Sequence, residues 1–252
     1  MIRIAAVSHY LHALQDGETL PSLDEALQPL CREHFRRVDR FIQLALLGTG
    51  RCVAGKTLAS DCGLYLGSCF GPMSNNIATQ EQLVRDRLTP KPFNFINTLG
   101  NSAGYYVAKN LGLRGQNLFI SRQGASFQAV LAAAVTDLEA GVLSEALVGV
   151  VEEVTLPVTA YRRRQGLAAD APVAEGSHWL LLQSSADAGM RLERQGVKSL
   201  NNAAAGLLPE TSGPSHDSVA GADITARLMV GKECVLADGD ADRGWELFHF
   251  RP

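Results

Sequence analysis

The chain has 252 residues, of which 46% are hydrophobic and 19% charged, and its formal net charge is -3. That balance suits one compact domain, or a domain with a tail, and gives no global reason to expect nucleic acid or an anionic membrane surface as a partner. No apolar run approaches membrane-spanning length, so no membrane is expected either.

In chain order, Ile2 to Val7 reads as a first central strand, starting almost at the first residue. Residues 10–33 are polar, carry Pro21 and Pro29, and read as a surface excursion. Arg36-Arg37-Val38-Asp39-Arg40 opens a helix whose apolar positions Phe41, Ile42, Leu44, Ala45 and Leu47 continue to Gly48. Gly63 to Gly67 is a buried strand, followed by a Gly/Pro/Asn loop over Ser68 to Asn76 and an amphipathic helix over 77–88. Pro90 and Pro92 lead into Phe93–Leu99, and a glycine-dotted helix, Asn101 to Leu111, follows. Next come a strand read as buried (Asn117 to Ser121), a sharp corner at Arg122-Gln123-Gly124, and a helix of alanine and aliphatic residues that should be packed on most sides. Ala146 to Val151 is a further buried strand, closed by Glu152 and Glu153.

The order β, α, β, α, β, α, β predicts an α/β layered fold with a largely buried sheet. Ala174 to Leu182 adds one more strand after a basic run at Arg162-Arg163-Arg164. Residues 209–222 read as a loop, and Cys234–Leu236 and Glu246–Phe250 flank an Asp-Gly-Asp turn as a closing hairpin. The five cysteines, Cys31, Cys52, Cys62, Cys69 and Cys234, lack CxxC or His-paired spacing. This argues for reduced thiols in a cytoplasmic protein, with no metal and no cofactor expected. The start, Met1-Ile2-Arg3-Ile4, lacks the long apolar core of a signal peptide, which also predicts a cytoplasmic location.

Gly50 to Thr57 fits the phosphate-loop pattern G-x-x-x-x-G-K-[ST] letter for letter. The motif works only where a strand precedes the loop and a helix follows it, so that amides and the helix end cradle phosphate. Here a helix precedes and a strand follows. The reading is an exposed helix-to-strand connection with Lys56 solvated.

The stretch from Pro92 to Glu152 resembles the N-terminal half of β-ketoacyl synthases, the thiolase-fold condensing enzymes. Pro92-Phe93, Asn101, Gly104, Gly112-Leu113-Arg114-Gly115, Ile120-Ser121 and the strand ending at Glu152 carry the likeness. Ala174-Glu175-Gly176 and Arg36 to Phe41 also have counterparts, so the likeness covers about residues 1–184. It implies a thiolase-like half over 1–184, a layered α/β/α unit with a mixed, mostly parallel five-stranded sheet. Residues 185–252 would form a short C-terminal extension, partly loop with a terminal hairpin.

Two departures bear on function. Counting without gaps puts Gly124 at the family's nucleophilic cysteine, and a one-residue slip puts Gln123 there, as in chain-length factors. Either way no catalytic residue is expected at the vacant nucleophile position, because an acyl-thioester requires a thiol. The roughly 70 residues after Ser184 also leave little room for a second half, which would need about 100 or more.

By resemblance, Phe119, Ile120 and Ser121 lie near a dimer two-fold. Phe93, Phe95, Ile96, Thr98 and Leu99 match a segment that reaches across the dimer and lines the other subunit's acyl tunnel. The competing reading for these apolar residues is ordinary core. Gln123 and Gly124 could equally do no more than permit a tight turn, Gly tolerating φ > 0.

His9, His12, His34, His178, His216 and His249 form no metal spacing, and His178 reads as a buried, satisfied histidine in a strand. His249 alternates with Phe248 and Phe250 and reads as a strand's second face. Glu152 and Glu153 should point to opposite faces. The arginine run is either a solvated loop or a contact for an acidic carrier protein.

The expected function is therefore a non-catalytic, chain-length-factor-like subunit forming a heterodimer with a full-length β-ketoacyl synthase. It would shape that partner's acyl tunnel in type II fatty-acid or polyketide synthesis, aryl polyenes among the products, with acyl carrier protein as a further contact. The alternative is a priming malonyl-carrier decarboxylase in which Gln123 replaces the cysteine.

Overall fold

The computed structural model describes residues 1–33, 35–36, 38–184, 190–197, 217–240 and 244–251. His34, Arg37, His216 and the stretch 209–216 lie outside the described residues.

The strands are β1 (Ile2–Leu14), β2 (Gly63–Gly67), β3 (Asn117–Ile120), β4 (Glu145–Glu152), β5 (Val173–Ser184), β6 (Met190–Val197), β7 (Cys234–Asp240) and β8 (Gly244–Arg251). They form one mixed sheet in the order β3-β2-β4-β5-β1-β6-β8-β7. β2 runs parallel to β3 and β4, and β5 is antiparallel to β4 and to β1. So β1 to β4 share one direction and β5 opposes them, the mixed, mostly parallel arrangement expected for the first five strands. The sheet does not stop there. β6 pairs with the start of β1, and β8 and β7 follow antiparallel.

The helices are α1 (Asp24–Leu27), α2 (Arg40–Cys52), α3 (Met73–Val84), α4 (Pro92–Ile96), α5 (Asn101–Leu111), α6 (Ser126–Glu139), α7 (Val158–Arg164) and α8 (Asp217–Met229). α2 and α5 cover one face of the sheet through Phe41, Leu44, Leu47, Ala103 and Val107, packed on Leu64, Leu66, Leu147 and Trp179. α6 and α8 fill the other face. There Phe127, Val130, Leu131, Ala134 and Ile224 share a core with Val148, Val150, Leu180, Leu192, Leu236, Phe248 and Phe250. α6 is thus enclosed by the first strands on one side and by β6–β8 with α8 on the other. Its broad apolar surface, from Phe127 to Leu138, needs both covers.

Several sequence expectations change. β1 runs to Leu14, so part of the 10–33 excursion is strand. A bulge between Ile4 and Ala6 switches the parity of its faces, so Ile2 and Ile4, then Val7, join the α6 core. The segment entered at Pro92 opens with the short helix α4, where the missing N–H of that proline costs nothing, and Asn97 to Leu99 follow as a turn. Part of the predicted loop at 209–222 is the first turn of α8. The hairpin of β7 and β8 forms as expected, but Asp238-Gly239-Asp240 belongs to β7 itself and pairs with β8. Gly50, Arg51 and Cys52 are the last turn of α2 and Lys56 is exposed, which agrees with rejecting the phosphate loop.

A buried ion pair ties the two faces' sequence landmarks together. Asp39 caps α2 by accepting the Ile42 N–H at 3.0 Å. The next residue, Arg40, donates through Nε to Glu175 Oε2 at 2.9 Å and through its terminal nitrogen to Oε1. Tyr10 Oη also donates to Glu175, at 3.2 Å. The Glu175 side chain is 0% exposed and that of Arg40 13% exposed. Removing one member of such a pair strands the other charge away from water. Glu175→Gln should lower stability by about 3 kcal/mol, read as a shift of the urea midpoint at unchanged slope.

Candidate functional site

The parallel strands β2, β3 and β4 end side by side, and the loops after them converge on the N-terminus of α6. After β3 the chain turns through a 3-10 turn at Gln123–Ala125. Gln123 sits there at φ +43°, a conformation that L side chains rarely adopt, and is exposed. The strain falls on the glutamine. Gly124, the residue chosen for its freedom at positive φ, is half-buried and does not carry one.

The corner is held by serines. The Arg122 N–H donates to Ser126 Oγ at 2.7 Å, and Ser126 Oγ lies 3.1 Å from the Ser68 carbonyl it donates to. Ser121 Oγ donates to the Cys69 carbonyl at 3.0 Å. Arg122 also forms an ion pair with Asp238 of β7, so the two ends of the curled sheet meet beside the corner. Cys69 is thus brought to the neighbouring strand end, a proximity that spacing alone could not show.

Glu152 and Glu153 are both buried and bind different loops, as opposite-facing neighbours do. Glu152 accepts from Ser68 Oγ at 3.1 Å and from the Cys69 N–H. Glu153 accepts from the Ser74 N–H at 2.6 Å and from Ser74 Oγ at 2.9 Å. Burial pushes the Glu153 carboxyl up to about 7, against the opposing pull of the Ser74 N–H. These carboxylates anchor the loops after β2 and the start of α3. Neither is aimed at the corner as a base. Among the described residues no group of three or more His, Cys, Asp or Glu could hold a metal ion.

β3, read from sequence as buried, is the edge of the sheet. Among the described residues it is bonded to β2 alone, with Leu118, Phe119 and Ile120 half-buried and Ser121 exposed. Tight contact with α5 holds it in place. A Cβ on Gly100 would lie 2.3 Å from the Phe119 ring, and one on Gly104 would lie 2.4 Å from Asn117 Oδ1. One edge of β3 therefore keeps unpaired backbone groups.

Near it, α4 and the turn that follows expose apolar side chains: Phe93 at 46%, Phe95 at 62%, Ile96 at 50% and Leu99 at 52%. None is the core residue that the competing reading allowed. Thr98 is half-buried and turns its hydroxyl back to the Phe95 carbonyl at 2.7 Å. The two asparagines within this stretch resolve differently. Asn97 is buried, and Asn94 offers its carbonyl to Asn75 Nδ2. Phe93, Ile96, Leu99 and Tyr105 line an open groove of about 650 Å³ with Phe35 on its far wall.

Arg162, read as solvated or as a carrier contact, is buried. It donates to the Ala171 carbonyl at 2.7 Å and pairs with Asp16. Arg163 and Arg164 stay exposed, on helix α7 instead of a loop. His249 is half-buried between the fully buried Phe248 and Phe250, on the strand's second face as expected. His178 is buried, but among the described residues its Nε2 has no partner, so it is not satisfied.

Residues 11–175 match the sequence profile of the β-ketoacyl synthase N-terminal domain. No curated protein matches the chain. Among solved structures, the ishigamide ketosynthase/chain length factor superposes with a TM-score of 0.69 at 15% identity, covering 99% of each chain. The ketosynthase ApeO in complex with its chain length factor ApeC, from Xenorhabdus doucetiae, gives 0.55 at 15% identity over 98% of this chain and 99% of that one. A β-ketoacyl synthase from Burkholderia phymatum STM815 gives 0.59 at 11% identity over 99% and 98%. Likeness at these identities establishes the fold.

The Glu153 carboxyl gives a pH signature. Raised above its unfolded value of 4.5, it binds its proton more tightly when folded. Its contribution is therefore fully present below 4.5 and is lost as pH rises through about 7. Glu153→Gln should remove one proton's worth of that downward slope between pH 5 and 7, measured by urea denaturation across the range.

Proposed function

Because the chain belongs to the β-ketoacyl synthase family, whose N-terminal domain profile spans residues 11–175, we propose that it is a non-catalytic, chain-length-factor-like subunit. It pairs with an active, cysteine-bearing β-ketoacyl synthase and shapes that partner's acyl tunnel. The observation that carries this reading is the corner itself: a strained strand-to-helix junction with Gln123 at its apex and Gly124 beside it, neither able to form a thioester. The junction is retained while the nucleophile is not. That pattern suits a subunit selected for shape.

Two further features support pairing. The open edge of β3 offers main-chain donors and acceptors to a strand from another chain. Beside it, Phe93, Phe95, Ile96 and Leu99 give apolar area that a monomer would leave in water. In the proposed heterodimer β3 lies along the partner's edge strand, and α4 reaches over to close the end of its acyl tunnel. Bulk at Phe95 and Ile96 then limits the length of chain that fits. The setting is a type II system building fatty-acyl or polyketide chains, aryl polyenes included, on acyl carrier protein. Arg163 and Arg164, exposed at the end of α7, are the basic pair left for that acidic carrier.

Co-expression with the full-length ketosynthase of its own system should yield a one-to-one complex by size-exclusion chromatography with light scattering. Alone, the chain should aggregate or purify poorly. Phe95→Ser with Ile96→Ser should weaken the complex by roughly 2 kcal/mol or more and lengthen the acyl products. A well-behaved monomer with no ketosynthase affinity would sink the reading. Formation of acetyl-carrier protein from malonyl-carrier protein by this chain alone would replace it with the priming decarboxylase.

A further inference from the structure

α8 rests on a pair of histidines whose rings lie side by side, tilted by 44°. His9 on β1 and His178 on β5 are directly opposite in the antiparallel ladder, so both side chains leave the sheet on the face that α8 covers. Their ring centroids are 4.7 Å apart. Gly221 lets α8 come down on them, since a Cβ there would lie 2.4 Å from Val150 and 3.5 Å from His178 Cβ. One turn later, Thr225 Oγ1 meets His9 Nδ1 at 3.0 Å and His178 Nδ1 at 3.5 Å.

The Thr225 hydroxyl has one proton and donates it back to the Gly221 carbonyl at 2.8 Å. With the proton so placed, the hydroxyl accepts from Nδ1 of both rings, an arrangement of neutral imidazoles that these distances allow, and the His9 ring also bonds the Ala222 backbone. His178 Nε2 is buried without a partner and faces Gly176, where a Cβ would lie 2.4 Å from it. Neutral imidazoles fit this arrangement. A second proton on His178 would point at carbon, 0% exposed, beside another histidine.

We propose that His9 and His178 form a proton-operated latch: neutral, they seat α8 on the sheet, and protonation of the pair lifts it. Among the described residues, no charge offsets the imidazolium. On α8, Asp223 and Arg227 are paired with each other at 2.8 Å. On β4, Val150 is the residue opposite His178, and Glu152 spends its carboxylate on Ser68 and Cys69. On β5, Glu175 is bound to Arg40. Beside the 3-10 turn, Arg122 holds Asp238. A charged His178 is therefore stabilised only by water, which reaches it when α8 moves away.

The consequence reaches the corner. α8 touches the 3-10 turn, α6 and β7, so its release uncovers α6 and loosens the strained turn at Gln123. Burial, then His9, holds the His178 imidazole down at about 3, against 6.5 when free. A group with a depressed folded pKa binds its proton in the open state first. Opening of α8 should therefore rise by up to about tenfold per pH unit as pH falls below 6.5. Asp39 and Glu153, raised by burial to about 6 and about 7, change global stability in the opposite direction over part of that range. The readout must therefore be local and differential.

Hydrogen exchange on the full chain, corrected for intrinsic rates, would compare amides 220–229 of α8 with those of α5 from pH 7 to pH 5. Loss of α8 protection relative to α5, absent in His178→Leu and kept in Thr225→Val, is the result expected. An identical α8 profile in wild type and His178→Leu would overturn the latch. Should His178→Leu not fold, an NMR titration of the wild-type imidazoles decides instead. His178 staying neutral down to pH 5 while α8 is protected supports the latch, and titration near 6.5 with α8 still protected refutes it.

Discussion

A helix built mostly of alanine and aliphatic residues must be packed on more than one side, and α6 imposes that constraint on the whole molecule. Phe127, Val130, Leu131, Ala134, Val135 and Leu138 need more cover than one sheet face supplies. The first five strands give one wall. Leu192, Leu236, Phe248 and Phe250 from β6, β7 and β8, with Ile224 from α8, give the other. The sheet therefore curls around α6 until its two ends meet at the Arg122–Asp238 pair. The C-terminal residues, whose role sequence left open, complete the enclosure. They cover the α6 face of the first five strands.

Bare apolar surface lies elsewhere, at α4 and the open edge of β3, and it adjoins the strained corner. This arrangement suits the pairing proposed above. The polar groups nearby support the same view. Ser68, Ser121 and Ser126 tie strand ends to the helix start, while Glu152 and Glu153 hold the flanking loops through N–H groups. Each is occupied in fixing backbone. What a nucleophile would do at the corner has no counterpart in Gln123 or Gly124.

Two landmarks of the family resemblance owe their pairing to tertiary structure. The run Arg36 to Phe41 supplies Arg40, and the stretch Ala174-Glu175-Gly176 supplies its buried partner, 135 positions away. A charged residue inside an apolar strand signalled that a partner existed, without saying which. The histidines show the same limit more sharply. His178 was legible as buried, but the bulge in β1 that turns His9 to the same face, and the glycine that lets α8 approach, were not.

Local chemistry by itself determined the α/β class, most helices and strands, the terminal hairpin and the lack of a cysteine at the corner. Each of these rests on periodicity, on turn residues or on the absence of a thiol, and such features are written in neighbouring positions. The edge position of β3, the exposure of Phe93 to Leu99, the burial of Arg162 and the histidine pair under α8 were decided by the tertiary structure. An apolar strand or turn looks alike in sequence whether its far side meets protein or water, because exposure depends on which distant segment arrives there.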